Sequence, residues 1–208
     1  ASSSARETVN IAFVGAGDIA QLHYLGVQNT PQAELNGIWS LPGCKVVTEP
    51  ARVAEDFGCQ LYADPEDIFQ AEDVDAVYIL TNMETHADFA IRAMDAGKHV
   101  LVEKPVAASI EEIERMKIAS ERNNVLCFPA HNYIYESWFE RTHEMIQSGD
   151  VGDITAMYVM YNIHHADEYF SRDSILGVIR QIGTHLAYMS VYLGGDPVEV
   201  SAMKASIG

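Results

Sequence analysis

The segment from Val9 to Ala20, which reads VNIAFVGAGDIA, restricts what this chain can fold into. An apolar run is followed at once by two glycines, Gly15 and Gly17, and then by a helix-forming stretch that extends to about Asn29. A near-continuous apolar run is typical of a strand buried on both faces, as in parallel sheets covered by helices. This start predicts a β-strand, a tight glycine turn and an α-helix.

The same order of strand and helix recurs over the first two-thirds of the chain. Helical stretches separate strand-like segments, which read ELNGIWS, DAVYILT, HVLVE and VLCFPA in chain order. Ser109, with Glu112 three residues later, forms the capping-box pattern that marks a helix start. Strands that alternate with helices predict an α/β fold, and we expect residues 9–130 to form a Rossmann domain with a doubly wound parallel sheet.

The regular alternation of strand-like and helical segments ends near Pro129. A helix is predicted from about Glu136 to Ser148, followed by a long strand, GDITAMYVMYNIHH, and a second helix from about Leu176 to Leu193. The segment VEVSAMKAS is strand-like again. We therefore expect residues 131–208 to form part of a second α/β domain, with the start of an open, mainly antiparallel sheet.

The charge balance argues against two classes of partner. The chain has 13 basic and 30 acidic residues and a formal net charge of −17. Because phosphate contacts need clustered Lys and Arg, we expect neither a nucleic-acid partner nor an anionic membrane surface. No apolar run is long enough to span a membrane and no signal peptide is visible, and residues 1–8 are interpreted as a loose leader.

Cysteine usage indicates a reducing compartment. Cys44, Cys59 and Cys127 lie far apart and lack the CxxC spacing of zinc sites. We interpret them as incidental thiols rather than a disulfide framework, and we expect a cytoplasmic protein.

The glycine turn has the spacing of a dinucleotide-binding loop. Gly15, Gly17 and Ala20 follow the pattern GxGxxA, in which the first glycine permits the turn and the second lets the backbone approach a pyrophosphate. The small third residue packs the helix on the strand, and the helix N-terminus faces the phosphates. We expect Gly15, Gly17, Asp18 and Ile19 to contact a dinucleotide cofactor.

The end of the second strand bears on the choice between NAD and NADP. An Asp or Glu there would hold the ribose 2′-hydroxyl of NAD, but the residue is Ser40. A serine can hydrogen-bond a 2′-phosphate, and Lys45 or Arg52 could neutralise its charge. NAD and NADP both remain open, with the balance toward NADP, and the alternative is that Ser40 is an ordinary loop residue.

The sequence resembles the Gfo/Idh/MocA family of oxidoreductases in three segments, VGAGDIAQLH, DAVYILTNMETHADFAIRAMDAGKHVLVEKPVA and IGTHLAYMSVYLGG. The likeness extends from about Val9 to Lys204, and the tripeptide Glu103-Lys104-Pro105 is its most specific motif. It implies an N-terminal Rossmann domain and a C-terminal α/β domain that often forms the dimer contact. Family members are considerably longer, so the second domain is expected to be partial here: either the protein continues, or oligomerisation covers the exposed sheet.

The resemblance implies a role for each residue of this tripeptide. Lys104 would lie at the carboxyl end of a parallel strand, contact the reacting hydroxyl of a sugar or cyclitol and stabilise the developing alkoxide. Glu103 would fix the loop near the cofactor, and Pro105 would lock the turn through a cis peptide bond. The alternative is an ordinary strand exit with a solvated lysine.

The helix near Leu176 carries the other residues that the resemblance implies to be catalytic. The family has an Asp and, four positions later, a His that manages the substrate proton; these positions hold Gln181 and His185 here. A neutral amide can orient a hydroxyl but cannot accept a proton, which implies an unusual substrate or weakened catalysis. Tyr188 stands where the family is often acidic, and a packed core histidine is the alternative for His185. The same helix predicts an apolar stripe on another face, formed by Val178, Ile182, Leu186 and Leu193.

The remaining candidates lie at or near predicted strand ends. Those expected at the cofactor edge are Thr81, Asn82 and His86, with helix packing as the alternative for His86. Those expected to face the nicotinamide or the substrate are His131, Asn132, Tyr133 and His164. Because adjacent histidines such as His164 and His165 point to opposite faces of a strand, we predict no metal site.

Taken with the resemblance, these residues imply an NAD(P)-dependent oxidoreductase. It would transfer a hydride between a nicotinamide cofactor and a secondary alcohol or ketone of a sugar, amino sugar or cyclitol. Lys104 and His185 would be catalytic, Gln181 would orient the substrate, and a homo-oligomer would form through the second-domain sheet. Two alternatives remain: a non-catalytic protein that binds nicotinamide or another ligand, and a glycosidase-like member that uses NAD only transiently.

Overall fold

The computed structural model describes residues 8–41, 49–161 and 175–201, with side chains described from residue 182 onward in the last range. The chain divides into two units, residues 1–130 and residues 131–208. Each unit is described by itself below.

The first unit contains a six-stranded sheet in which every strand pair is parallel. The strand order is β3-β2-β1-β4-β5-β6, as expected for a doubly wound sheet. The strands are β1 (Val9–Val14), β2 (Ala33–Trp39), β3 (Gln60–Leu61), β4 (Ala76–Ile79), β5 (His99–Val102) and β6 (Cys127–Pro129). The predicted α/β fold of Rossmann type is confirmed.

Helices connect these strands, and their ends carry the expected signals. Ser109 caps its helix by accepting a hydrogen bond from the backbone N–H of Glu112 at 3.2 Å. Gly58 ends another helix in the left-handed conformation, at φ +65°. The helices of this unit are α1 (Asp18–Gln28), α2 (Pro50–Phe57), α3 (Pro65–Gln70), α4 (Met83–Asp95) and α5 (Ile110–Asn123).

The apolar runs reflect burial of the sheet on both faces. Along β1, Ala12 and Val14 belong to one core cluster, while Ile11 and Phe13 belong to the cluster on the opposite face. Side chains of a strand alternate between its faces, so two covered faces need apolar residues at every position. This is why the buried part of β1, IAFV at residues 11–14, is continuously apolar and not alternating.

The second unit has the two predicted helices but not the predicted strands. It contains a short 3₁₀ turn (Asn132–Tyr135), α6 (Ser137–Gln147) and α7 (Ile175–Gly194). The strand predictions for GDITAMYVMYNIHH and VEVSAMKAS are wrong over residues 152–161 and 198–201, which have irregular backbone. A strand exists only when a neighbour completes its hydrogen-bond ladder, and no described segment pairs with either one. Oligomerisation through a second-domain sheet therefore stays a prediction.

Candidate functional site

Parallel pairing brings several strand ends of the first unit to one edge of the sheet. Val14 pairs with Trp39 on one side and with Ile79 on the other, and Ile79 pairs with Val102. The residues that follow these strand ends therefore lie along the same edge. Ligands of open α/β sheets bind at this edge, outside the carboxyl ends of the strands.

The glycine loop after β1 has a backbone conformation that lets a ligand approach the main chain closely. Gly15 has a φ of +114°, and its N–H donates a 2.8 Å hydrogen bond to the carbonyl of Trp39. Gly17 is the N-cap of α1, and Ala20 in the first turn of that helix is fully buried. Asp18 is exposed in the first turn of α1. The loop thus leads directly into a helix N-terminus, the arrangement that binds a pyrophosphate.

Ser40 follows β2 and is buried, with 8% of its surface exposed. Arg52 lies in α2, where its exposed side chain is 4.0 Å from Asp56, and Lys45 lies outside the described residues. No carboxylate ends this strand. Its geometry therefore agrees with the sequence in leaving NAD and NADP both open.

Both ring nitrogens of His86 face backbone carbonyl oxygens. Its ring is 1% exposed, with Nε2 2.9 Å from the carbonyl oxygen of Thr81 and Nδ1 2.9 Å from that of Pro105. The hydroxyl of Thr81 accepts a 2.7 Å hydrogen bond from Thr85, and Asn82 is the N-cap of α4. With both ring nitrogens engaged, the geometry favours the packing role that the sequence left as the alternative for His86.

The tripeptide at the end of β5 is held by side chains and by its own backbone. Glu103 is buried, and its Oε1 lies 2.9 Å from Nε2 of His23 in α1. Its other carboxylate oxygen accepts a 2.8 Å hydrogen bond from the backbone N–H of Lys104. Lys104 is half-buried, and the peptide bond from Lys104 to Pro105 is cis, as the resemblance implied.

The contact between His23 and Glu103 was not predicted from the sequence. His23 lies in the segment VGAGDIAQLH, three residues after the buried Ala20 and therefore on the same face of α1. A polar residue on the buried face of a helix needs a partner, which was a readable signal. The identity of that partner, Glu103, is set 80 residues away in the chain.

In the second unit, His185 lies within a cluster of polar aromatic side chains. It is 5% exposed, and its Nδ1 is 2.8 Å from the hydroxyl of Tyr188. That hydroxyl lies 3.4 Å from Oδ1 of Asn132 and accepts a 3.3 Å hydrogen bond from the backbone N–H of Tyr133. Tyr188 thus faces the ring nitrogen of His185 at the position where the family resemblance led us to expect an acidic residue.

Other rings pack around the same histidine. Tyr133 meets the ring of His185 edge-on with the centroids 4.9 Å apart, and Tyr161 lies parallel to that ring at 5.8 Å. The hydroxyls of the two tyrosines are 3.1 Å apart. This hydrogen bond, together with burial, raises the pKa of Tyr133 to about 12. Tyr133 is therefore a neutral phenol at physiological pH.

The buried face of α7 differs from the predicted one. Among its described side chains, those of His185 and Met189 are buried, whereas Ile182, Leu186 and Leu193 are only partly buried. The apolar stripe predicted from spacing is therefore not the most buried face, because the aromatic cluster packs around His185 instead. Two predicted site residues cannot be placed: the side chain of Gln181 and all of His164 lie outside the described part.

Cys59 and Cys127 are half-buried free thiols, and burial raises the pKa of Cys59 to about 11. Within the described ranges, no group of three or more His, Cys, Asp or Glu side chains is placed to hold a metal ion. No helix in these ranges is long and apolar enough to cross a membrane.

The profile of the Gfo/Idh/MocA oxidoreductase family, NAD-binding Rossmann fold, matches residues 9–131, and the profile of the Gfo/Idh/MocA C-terminal domain matches residues 139–207. The chain belongs to this family. As a Gfo/Idh/MocA protein it carries the family's NAD-binding Rossmann domain, and the glycine loop and the Glu103-Lys104-Pro105 turn lie within the matched residues.

Relatives of this Gfo/Idh/MocA chain include named sugar and cyclitol enzymes. The dTDP-3,4-didehydro-2,6-dideoxy-alpha-D-glucose 3-reductase of Streptomyces violaceoruber is 32% identical over 197 residues, which cover 90% of this chain and 55% of that protein. A glycosyl hydrolase family 109 protein of Porphyromonas gingivalis is 34% identical over 113 residues, 52% of this chain and 24% of that protein. The structure of apo scyllo-inositol dehydrogenase from Lactobacillus casei superposes with a TM-score of 0.65 at 26% identity, covering 72% of this chain and 44% of that one. The chain thus spans about half the length, or less, of the relatives it matches.

Proposed function

We propose that this protein is an NAD(P)-dependent oxidoreductase that transfers a hydride between a nicotinamide cofactor and a secondary alcohol or ketone of a sugar, amino sugar or cyclitol. The observation that carries the proposal is the pairing of two features at one sheet edge. A glycine loop enters a helix N-terminus after β1, and a lysine follows β5 in the Glu103-Lys104-Pro105 turn. The family membership and the sugar and cyclitol relatives support the same substrate class.

The residues present fit a dinucleotide. The tight turn requires glycine at position 15, as in the dinucleotide fingerprint, because a Cβ there would lie 2.6 Å from the backbone of Leu80. The N–H groups of Gly17 and Asp18 start α1, where a helix N-terminus favours negative charge. We propose that Gly15, Gly17, Asp18 and Ile19 hold the pyrophosphate, with Ser40 beside the adenosine ribose. When bound, the nicotinamide supplies the hydride acceptor or donor.

We propose Lys104 as the residue that stabilises charge on the reacting oxygen. An ammonium group lowers the free energy of a developing alkoxide, and its effect is largest where water is excluded. Half-burial of Lys104, the hydrogen bond of its backbone N–H to Glu103 and the contact of His86 with the Pro105 carbonyl support this role.

We propose His185 as the group that exchanges the substrate proton, and Gln181 as a residue that orients the substrate hydroxyl. A hydroxyl carries one proton. When Tyr188 donates it to Asn132, Nδ1–H of His185 donates to Tyr188, and the neutral ring then carries its proton on Nδ1. Tyr188 therefore sets the ring tautomer, although as a neutral phenol it supplies no negative charge.

The first test is a fluorescence titration of the purified chain with NADPH and NADH, followed by a turnover screen across sugars, amino sugars and cyclitols. We expect saturable binding of at least one cofactor and turnover with one substrate class. Lys104→Ala should keep cofactor binding and lower kcat about 100-fold or more. Absence of binding for both cofactors would overturn the proposal for this chain.

A second candidate, NAD-dependent glycoside cleavage, is favoured by the glycosyl hydrolase relative. In that case the cofactor would stay bound, and a chromogenic glycoside would be cleaved without net formation of NADH. Cofactor binding without either reaction would indicate the non-catalytic alternative.

A further inference from the structure

The turn that carries Lys104 is held on both sides by histidines from two different helices. On one side, His23 in α1 contacts the carboxylate of Glu103 at 2.9 Å. On the other side, Nδ1 of His86 in α4 lies 2.9 Å from the carbonyl oxygen of Pro105. We propose that His23 and His86 are positioning residues that hold Lys104 in place for the reaction. This inference rests on the proposed function only for the role of Lys104.

His23 acts through a buried carboxylate. One oxygen of Glu103 faces the ring of His23, and the other accepts the backbone N–H of Lys104 at 2.8 Å. A carboxylate held at both oxygens cannot rotate, so it fixes the backbone of the next residue. The His23 ring is itself restrained, because it packs edge-on against Tyr78 at 5.6 Å and against Phe13 at 6.4 Å. Hydrogen bonds to a charged acceptor are about twice as strong as neutral ones.

His86 joins the turn to the neighbouring strand end. Its Nδ1 faces the carbonyl of Pro105 and its Nε2 faces the carbonyl of Thr81, each at 2.9 Å. Carbonyl oxygens only accept, so each contact is a hydrogen bond when the ring nitrogen that faces it carries a proton. His86 is 1% exposed, so water cannot take over its contacts with the two carbonyl groups. The ring therefore connects the end of β4 to the Lys104 turn.

Both helices that supply these histidines begin at the cofactor edge. Helix α1 begins directly after Gly17, and α4 begins directly after Asn82. The elements expected to surround the cofactor therefore also locate Lys104. Neither histidine needs to touch the substrate or the cofactor to affect turnover.

Paired substitutions separate positioning from general packing. The amide nitrogen of Asn occupies about the place of Nδ1 of His, and that of Gln the place of Nε2. His86→Asn keeps the donor that faces Pro105, whereas His86→Gln keeps only the donor that faces Thr81. His23→Gln keeps the donor to Glu103, whereas His23→Leu removes it. Each pair thus contains one variant that retains the contact with the turn and one that loses it.

Steady-state kinetics and backbone amide exchange test the proposed positioning role. We expect His86→Gln and His23→Leu to lower kcat about tenfold with unchanged NAD(P)H affinity, while His86→Asn and His23→Gln stay near the parent. In nuclear magnetic resonance experiments, the backbone amide of Lys104 should exchange faster in the two contact-losing variants only. In a Lys104→Ala background, the same two substitutions should cause no further loss of kcat.

Other outcomes would overturn the inference. Equal losses for both members of a pair, unchanged Lys104 exchange in all four variants, or additive losses in the Lys104→Ala background would each assign the histidines to packing alone. Circular dichroism melts identify any variant that fails to fold, and the other pair then decides. If no substrate turns over, the proposed function fails, but exchange of the Lys104 amide still decides whether the histidines hold the turn.

Discussion

A Cβ atom on Gly15 would lie 2.6 Å from both the carbonyl carbon and the carbonyl oxygen of Leu80. The two residues directly follow the neighbouring strands β1 and β4, so the close approach is fixed by the sheet and cannot relax through a flexible side chain. Since Gly15 also has a φ of +114°, a side chain there is strained by the backbone as well as by the contact.

We expect Gly15→Ala to lower the free energy of unfolding by about 3 kcal/mol and to weaken NAD(P)H binding, because the loop must shift to admit the methyl group. Chemical denaturation and a fluorescence titration measure the two effects. Gly26→Ala is the matched control in the same strand–loop–helix unit. Gly26 is an exposed helical position where an added Cβ would meet no atom within 4 Å apart from the adjacent residues and the backbone of its own helix, so the substitution should raise stability by about 0.5–1 kcal/mol. Equal effects of the two changes would contradict this account.

Lys98 is buried at the opposite end of the sheet from the candidate site, just before β5. Its Nζ donates to the carbonyl oxygens of Ala71 at 2.5 Å and Val74 at 2.8 Å, and thereby joins the loop before β4 to the turn after α4. We expect Lys98→Met to lower the free energy of unfolding by about 2–3 kcal/mol, since buried acceptors would lose a charged donor. In contrast, Lys117→Met should change stability by less than about 0.5 kcal/mol, because that side chain is 74% exposed. Urea denaturation of both variants checks the difference.

Ionisation of the Tyr133 phenol is expected to lower the stability of the folded protein at high pH. Its hydrogen bond with Tyr161, together with burial, raises the pKa from 10.0 to about 12, so the folded state holds the phenol proton after the unfolded chain has lost it. This contribution is fully present below pH 10 and is lost as the pH rises to about 12. Tyr133→Phe should flatten the decline over that range. Denaturation curves of both proteins at several pH values measure it, and parallel curves would show that the phenol does not contribute.

The residue at position 40 is expected to influence the relative affinity for NADH and NADPH. A carboxylate at this strand end would accept hydrogen bonds from a ribose 2′-hydroxyl and repel a 2′-phosphate. We expect Ser40→Asp to shift the ratio of NADH to NADPH affinity toward NADH by about tenfold or more, a change of about 1.4 kcal/mol. Ser40→Ala is the control, which should weaken NADPH binding without improving NADH binding. An unchanged ratio in the Asp variant would place the 2′-position away from Ser40.

Local signals in the sequence were enough for most of the first unit. The apolar run at Val9–Val14, the glycine turn and the Ser109 cap each depend on neighbours within a few residues, and each was predicted from that range. The elements β3 and α3 were missed. Gln60 and Leu61 are both exposed, so β3 has no apolar run, although Asp64 and Pro65 form an ordinary helix start for α3.

The wrong strand prediction over residues 152–161 shows where local sequence signals were not enough. The alternating apolar pattern is a property of the segment, but a strand also needs a partner with unpaired N–H and C=O groups. Pattern alone cannot supply that partner. The same holds for α7, where spacing identified the helix but not which face is buried.

By itself the sequence determined the strand–helix order, the glycine loop, the Glu103-Lys104-Pro105 turn and the family resemblance, because these are encoded within short segments. Only the tertiary structure decided that His23 meets Glu103, that His86 joins Thr81 to Pro105, and that Tyr188 faces His185 from within a ring of tyrosines. The first two contacts join residues up to 80 positions apart, and their partners are set by sheet register and helix packing. No local propensity carries that information, since a buried polar side chain specifies that it needs a partner but not which one.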